Sequence, residues 1–183
     1  MKQTKSGDLL LFKPTGAFDI VGNLIAAFSD NHKYCHVAIA IGNGRLLEMA
    51  PGGSNVKDIS PDNVFDVFEM IDTVPNVTCG YTSLLYSNYL LVRQAVFLHE
   101  KKYAYNWEGD IGQGINEVLE GVAPVAEHLV PIINNDNQLN CSQFIALAFQ
   151  NSFDLQLVDG IPWQNVKPDD IQKTRYFRKL TVD

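Results

Sequence analysis

Three stretches of the chain predict an α+β fold in which a small antiparallel sheet packs on a cysteine-bearing helix. Residues 34–41 read Tyr-Cys-His-Val-Ala-Ile-Ala-Ile, a strand that Gly42-Asn43-Gly44 turns and residues 45–50 answer as its hairpin partner. Residues 84–101 place Leu91, Ala95 and Leu98 along one helical face. Residues 139–149 set Phe144, Ile145, Ala148 and Phe149 at helical spacing behind Asn140, a good N-cap, with Cys141 in the first turn.

The remaining elements follow in order. Gly7-Asp8 is a turn that feeds a short buried strand, Leu9-Leu10-Leu11-Phe12, and Pro14-Thr15-Gly16 breaks it. Residues 18–28 carry apolar side chains at helical spacing up to Ser29-Asp30-Asn31. Pro51-Gly52-Gly53-Ser54 ends the hairpin, and residues 64–70 alternate apolar and polar as a half-exposed strand does. Residues 103–107 form an aromatic loop. Residues 111–133 are helical by pattern, with Gly121, Pro124 and Pro131 capping or interrupting them, and the polar residues 134–138 deliver the Cys141 helix. Near the end, Lys167-Pro168-Asp169-Asp170-Ile171 predicts a capped short helix before a last strand around residues 177–182.

At 183 residues the chain fits one domain, residues 1–183, with 46% hydrophobic and 19% charged residues, as a globular protein has. A net charge of −7 without a Lys/Arg cluster excludes nucleic acid as the expected partner. No apolar run is long enough for an integral membrane segment, and the first residues lack a signal peptide's apolar core. A cytoplasmic location is therefore expected, with release by lysis or inside a particle as the exception. Cys35, Cys79 and Cys141 are too few and too scattered for a disulfide framework, and no pair has zinc-ligand spacing.

The chemistry rests on Cys141. The start of a helix offers unpaired N–H groups and the positive end of the dipole, both of which favour thiolate, the nucleophilic form. The competing reading is a small buried core residue. A cysteine nucleophile needs a base, and the base needs a group to fix its tautomer. His99 and His128 lie in helical patterns and His32 in a polar turn. His36 alone sits mid-strand among apolar neighbours, where a polar ring is either a satisfied core histidine or a base. Glu48 is the candidate third member. With a three-residue Gly42-Asn43-Gly44 loop, Ile41 pairs with Arg45, Ala38 faces Glu48, and His36 and Glu48 share a sheet face. A two-residue Asn43-Gly44 turn puts them on opposite faces and leaves Glu48 a solvated charge. The oxyanion donor expected is the Cys141 backbone N–H, with Tyr34 and Tyr105 as candidates for a second.

The order of these parts has a family resemblance. A Gly7-Asp8-Leu9 opening, the strand His36-Val37-Ala38-Ile39, an acid twelve positions later at Glu48, and a late helix beginning Cys141-Ser142 resemble the circularly permuted branch of the NlpC-type papain-like superfamily, particularly YiiX-like proteins. Lecithin–retinol acyltransferase-like enzymes are relatives of that branch. Tyr105-Asn106-Trp107 resembles its Tyr-Asp-aromatic segment, with Asn106 in place of the acid. Pro168-Asp169-Asp170-Ile171 resembles its Pro-x-Asp segment, and Ser142-Gln143 stands where Ser-Glu is commoner. The resemblance implies a permuted papain-like fold with a small, mostly barrel-like meander. It also implies Cys141 as nucleophile, His36 as base, Glu48 as orienting group, and no cofactor or metal. The implied activity is a cysteine peptidase or amidase type of hydrolysis, through a thioester acyl-enzyme, of a cell-wall peptide or a lipidated amide. Acyl transfer between lipids, and a non-catalytic module that holds a lipid or peptide in the same cleft, are the alternatives.

Overall fold

The computed structural model describes residues 4–14, 33–71, 74–76, 80–81, 84–106 and 138–181. The helical patterns of residues 18–28 and 111–133, and His32, Cys79, Trp107 and His128, lie outside them.

The chain is α+β. Its strands are β1 (Leu9–Phe12), β2 (His36–Gly42), β3 (Arg45–Ala50), β4 (Gly53–Asp58), β5 (Phe65–Met70), the short pair β6 (Pro75–Asn76) and β7 (Gly80–Tyr81), β8 (Ala104–Tyr105), β9 (Gln138–Leu139) and β10 (Phe177–Lys179). The helices are α1 (Leu84–Glu100), α2 (Cys141–Phe153) and α3 (Pro168–Ile171), with one 3₁₀ turn at Trp163–Asn165. Six strands make one antiparallel sheet in the order β10-β5-β1-β2-β3-β4, and β8 and β9 pair in parallel.

The meander expected for the whole sheet therefore runs only from β1 to β4. β5 crosses back to the far side of β1, and β10 and β4 stand at the two ends of the order. The crossing is favoured by burial: Phe65, Val67, Phe68 and Met70 are all covered, so β5 has apolar side chains for both faces and belongs inside the sheet. The half-exposed strand expected at residues 64–70 is corrected accordingly. Even Asp66, on one of those faces, is buried.

A second correction concerns the hairpin's end. Pro51-Gly52 does turn the chain, but Gly53-Ser54 opens a further strand, β4, rather than a loop. Its sequence Gly-Ser-Asn-Val-Lys-Asp carries no apolar alternation because β4 lies at the end of the sheet order, where polar and charged side chains are tolerated and discourage pairing with other chains.

The large core lies between α1, α2 and one sheet face. Leu9, Leu11, Val37, Ile39, Leu47 and Met49 meet Leu91 and Ala95 of α1 and Phe144, Ile145, Ala148 and Phe149 of α2. The other face buries a smaller cluster of Leu10, Ala38, Leu46, Phe65 and Val67. Gly7 shows why the opening turn needs glycine. Its φ is +95°, and a Cβ there would lie 2.6–2.8 Å from the Asn88 side chain of α1.

Candidate active site

Cys141 is placed by the start of α2. Asn140 caps the helix in extended conformation. Its side chain accepts from the Gln143 N–H at 2.9 Å, and the Gln143 side chain accepts the Asn140 N–H at 3.0 Å. This reciprocal capping box satisfies two donors that a helix start otherwise leaves unpaired. Gln143 also donates to the Gln164 carbonyl, and the Ser142 hydroxyl to the carbonyl of Val166. Ser142 and Gln143 thus fasten the first turn of α2 to the 3₁₀ segment, and the Cys141 side chain is held where the helix begins. The residue is buried, 5% exposed.

His36 is the first residue of β2, at the end of the strand rather than its middle. Its position is pinned from both sides in sequence. The Tyr34 N–H donates to Asp169 of α3 at 3.2 Å, and the Tyr34 hydroxyl donates to Asp66 at 2.7 Å. Asp66 in turn takes Lys13 at 3.2 Å and Lys179 at 2.7 Å. Burial pushes the Asp66 carboxyl up, but the hydrogen bonds from Lys179, Tyr34 and Lys13 outweigh it and hold the carboxyl well below the usual range. The Tyr34 phenol, buried and bonded to that carboxylate, is raised well above its ordinary value. With its hydroxyl committed to Asp66, Tyr34 is a brace for β2 rather than the second oxyanion donor considered from sequence.

Glu48 reaches His36 by a route that combines both turn geometries weighed above. The two-residue Asn43-Gly44 turn forms, with positive φ at Asn43 (52°) and Gly44 (70°), and Gly42 rather than Ile41 pairs with Arg45. A bulge between Ala40 and Gly42 then takes up one residue, so that Ala40 pairs with Leu46 and Ala38 with Glu48. The tight turn alone would have placed His36 and Glu48 on opposite faces; turn plus bulge puts them on one face, diagonally related.

His36 Nε2 donates to Glu48 Oε2 at 2.9 Å, and the ring is also hydrogen-bonded to the Cys141 side chain. Since Glu48 occupies Nε2, the nitrogen left for the thiol is Nδ1. Burial lowers the basicity of His36. The negative charge and hydrogen bond of Cys141, then those of Glu48, outweigh this and raise the imidazole to about 10. For Glu48, burial raises the carboxyl, while His36 and then Lys57 bring it below the ordinary value. Glu48 is 2% exposed, which rules out the solvated-charge reading.

The other candidates lie elsewhere. Cys35 is buried and its thiol points to the Phe12 carbonyl at 3.6 Å. His99 pairs with the Ser54 hydroxyl at 2.8 Å and clips α1 to β4. Tyr105 is buried beside β9, and Asn106, fully buried, donates its N–H to Leu139 at 3.1 Å. Reading the sequence alone missed Lys57, whose Nζ lies 2.6 Å from Glu48 Oε1, because residues 51–62 read as a loop. Among the described residues no cluster of His, Cys, Asp and Glu could hold a metal ion, and no helix is long and apolar enough to cross a membrane.

No family model, curated protein or solved structure matches the chain.

Proposed function

We propose that the chain is a cysteine hydrolase of the permuted papain-like type, close to the YiiX-like proteins it resembles, acting on an amide through Cys141, His36 and Glu48. The observation that carries this reading is the continuous thiol–imidazole–carboxylate chain, with His36 Nε2 at 2.9 Å from Glu48 and its ring hydrogen-bonded to Cys141. A thiolate facing a strongly basic imidazolium is a nucleophile whose proton is already parked on the group that must later return it.

The steps follow from that arrangement. The Cys141 sulfur adds to the substrate carbonyl carbon, and the developing oxyanion lies against the Cys141 backbone N–H, a first-turn donor without an intrahelical acceptor. The carbon–nitrogen bond breaks as His36 gives its proton to the leaving amine, which leaves a thioester on Cys141. Water then adds to the thioester while His36 takes its proton, the carbon–sulfur bond breaks, and acid and thiolate are released with His36 protonated again. Glu48 stays ionised throughout and keeps the ring turned so that Nδ1 faces the sulfur. A cell-wall peptide or a lipidated amide is the substrate class the resemblance favours.

The test uses iodoacetamide, with each cysteine read by peptide mass, alongside hydrolysis of peptide, ester and lipid-amide substrates. Cys141 is expected to alkylate faster than Cys35 and Cys79 at mildly acidic pH, His36→Ala is expected to slow it at least about tenfold, and Cys141→Ala is expected to abolish turnover. A Cys141 that reacts like an ordinary thiol and ignores His36→Ala would favour the binding module over the enzyme.

A further inference from the structure

Glu48 is held from two directions. In the β2–β3 ladder it opposes Ala38, and His36 lies two residues before that partner. In the β3–β4 ladder it opposes Asn55, and Lys57 lies two residues beyond. His36 and Lys57 therefore flank Glu48 diagonally on the same sheet face, toward opposite ends of β3. The carboxylate divides between them: Oε2 takes His36 at 2.9 Å and Oε1 takes Lys57 at 2.6 Å. A buried carboxylate has two torsions by which it can swing away from an imidazole, and an unpaired buried oxygen is costly. A second partner on the opposite oxygen removes both freedoms.

Lys57 itself is half exposed, on the strand at the end of the sheet order. A lysine there has a plain use, to discourage pairing with other chains, and that use needs no contact with Glu48. The contact is what distinguishes this lysine: its ammonium is turned inward onto a carboxylate that is 2% exposed.

We propose that Lys57 is a positioning residue for the Cys141–His36–Glu48 site, locking the Glu48 carboxylate so that Oε2 stays aimed at His36. The proposal rests on the hydrolase reading above and adds a fourth residue to it. Lys57 touches neither the thiol nor a substrate; it acts through Glu48 alone.

That dependence defines the experiment. The rate of Cys141 alkylation by iodoacetamide is measured near neutral pH on the full chain, for wild type, Lys57→Met, Lys57→Arg, Glu48→Gln and the double variant Lys57→Met/Glu48→Gln. Lys57→Met is expected to slow the reaction about three- to tenfold, as the loss of one coupled contact does, with unchanged circular dichroism. Lys57→Arg restores the rate, because it brings a cation to the same oxygen. In the Glu48→Gln background, removing Lys57 has no further effect. A Lys57→Met protein that reacts at the wild-type rate or faster overturns the proposal, and so does an equal loss in the Glu48→Gln background. If Lys57→Met does not fold, Lys57→Gln makes the same comparison. His36→Ala separates the two readings: indifference to it removes the hydrolase proposal, whereas sensitivity to His36 without sensitivity to Lys57 removes only this one.

Discussion

Glu48→Gln isolates the electrostatic contribution of the carboxylate, because the amide keeps the side chain's shape and an oxygen that His36 can still meet. In the wild type, His36 titrates at about 10, held there by Cys141 first and Glu48 second against the opposing effect of burial. Opposite unit charges about 4 Å apart at an effective dielectric near 20 attract by about 4 kcal/mol, and one pH unit corresponds to about 1.4 kcal/mol. The carboxylate could thus account for about three units alone, but Lys57 draws on the same charge. A fall of about one to two units is expected, to a midpoint near 8–9 that still lies above the free imidazole value of about 6.5, because the Cys141 charge persists. Folding stability must follow the same curve. A histidine made more basic by folding stabilises the fold fully below about 6.5 and loses that contribution as pH rises through about 10. In the variant the loss sets in earlier. The assay is the pH titration of the His36 ring resonances, assigned by their absence in His36→Gln, together with urea unfolding at several pH values. A His36 midpoint within about 0.3 of wild type would mean that the 2.9 Å contact carries no electrostatic coupling.

Two further predictions concern the scaffold around the site. Asn140→Ala removes the cap on α2 and leaves the buried Gln143 N–H unpaired. It is expected to cost about 2 kcal/mol and lower the melting temperature by about 4–8 °C, and a loss below about 0.5 kcal/mol would show that the capping box does not hold the helix start. Asp66→Asn removes the carboxylate shared by Tyr34, Lys13 and Lys179. Since folding depresses the Asp66 carboxyl, its stabilisation is present above about pH 3.9 and is lost as pH falls through the lower folded value. The variant should be less stable at neutral pH yet lose less on acidification, as read from urea midpoints at about pH 7 and pH 3; parallel curves would assign the acid sensitivity to other groups.

Much of this geometry is legible residue by residue. Asn140 declares a helix start because its short side chain accepts from the third residue's N–H, and Cys141 follows at once. Leu91, Ala95 and Leu98 recur at the helical period, so one face of α1 is apolar before any fold is known, and all three are buried. His36 stands out for the same reason, a titratable ring in an otherwise apolar strand. β4 was not legible. A strand at the end of the sheet buries little, so its sequence carries no alternation, and Lys57 was hidden with it.

What the sequence by itself determined is local: which segments are helix or strand, where α2 begins, and that a cysteine, a histidine and an acid occur in an order suited to thiol chemistry. These depend on side-chain period and capping, which act over a few residues. Only the tertiary structure decided whether His36 and Glu48 share a face. The Asn43-Gly44 turn favours one register and the burial of Ala38 and Leu46 another, and the bulge beside Ile41 satisfies both. It also decided that α2 lies across the large core with its first turn at the His36 end of β2, and that Asp66, Asp169 and Lys57, from three separate segments, converge to hold the Tyr34–His36 stretch and Glu48 in place. Such contacts span tens of residues of chain, and their energies depend on burial and on distances between segments, which no local pattern encodes.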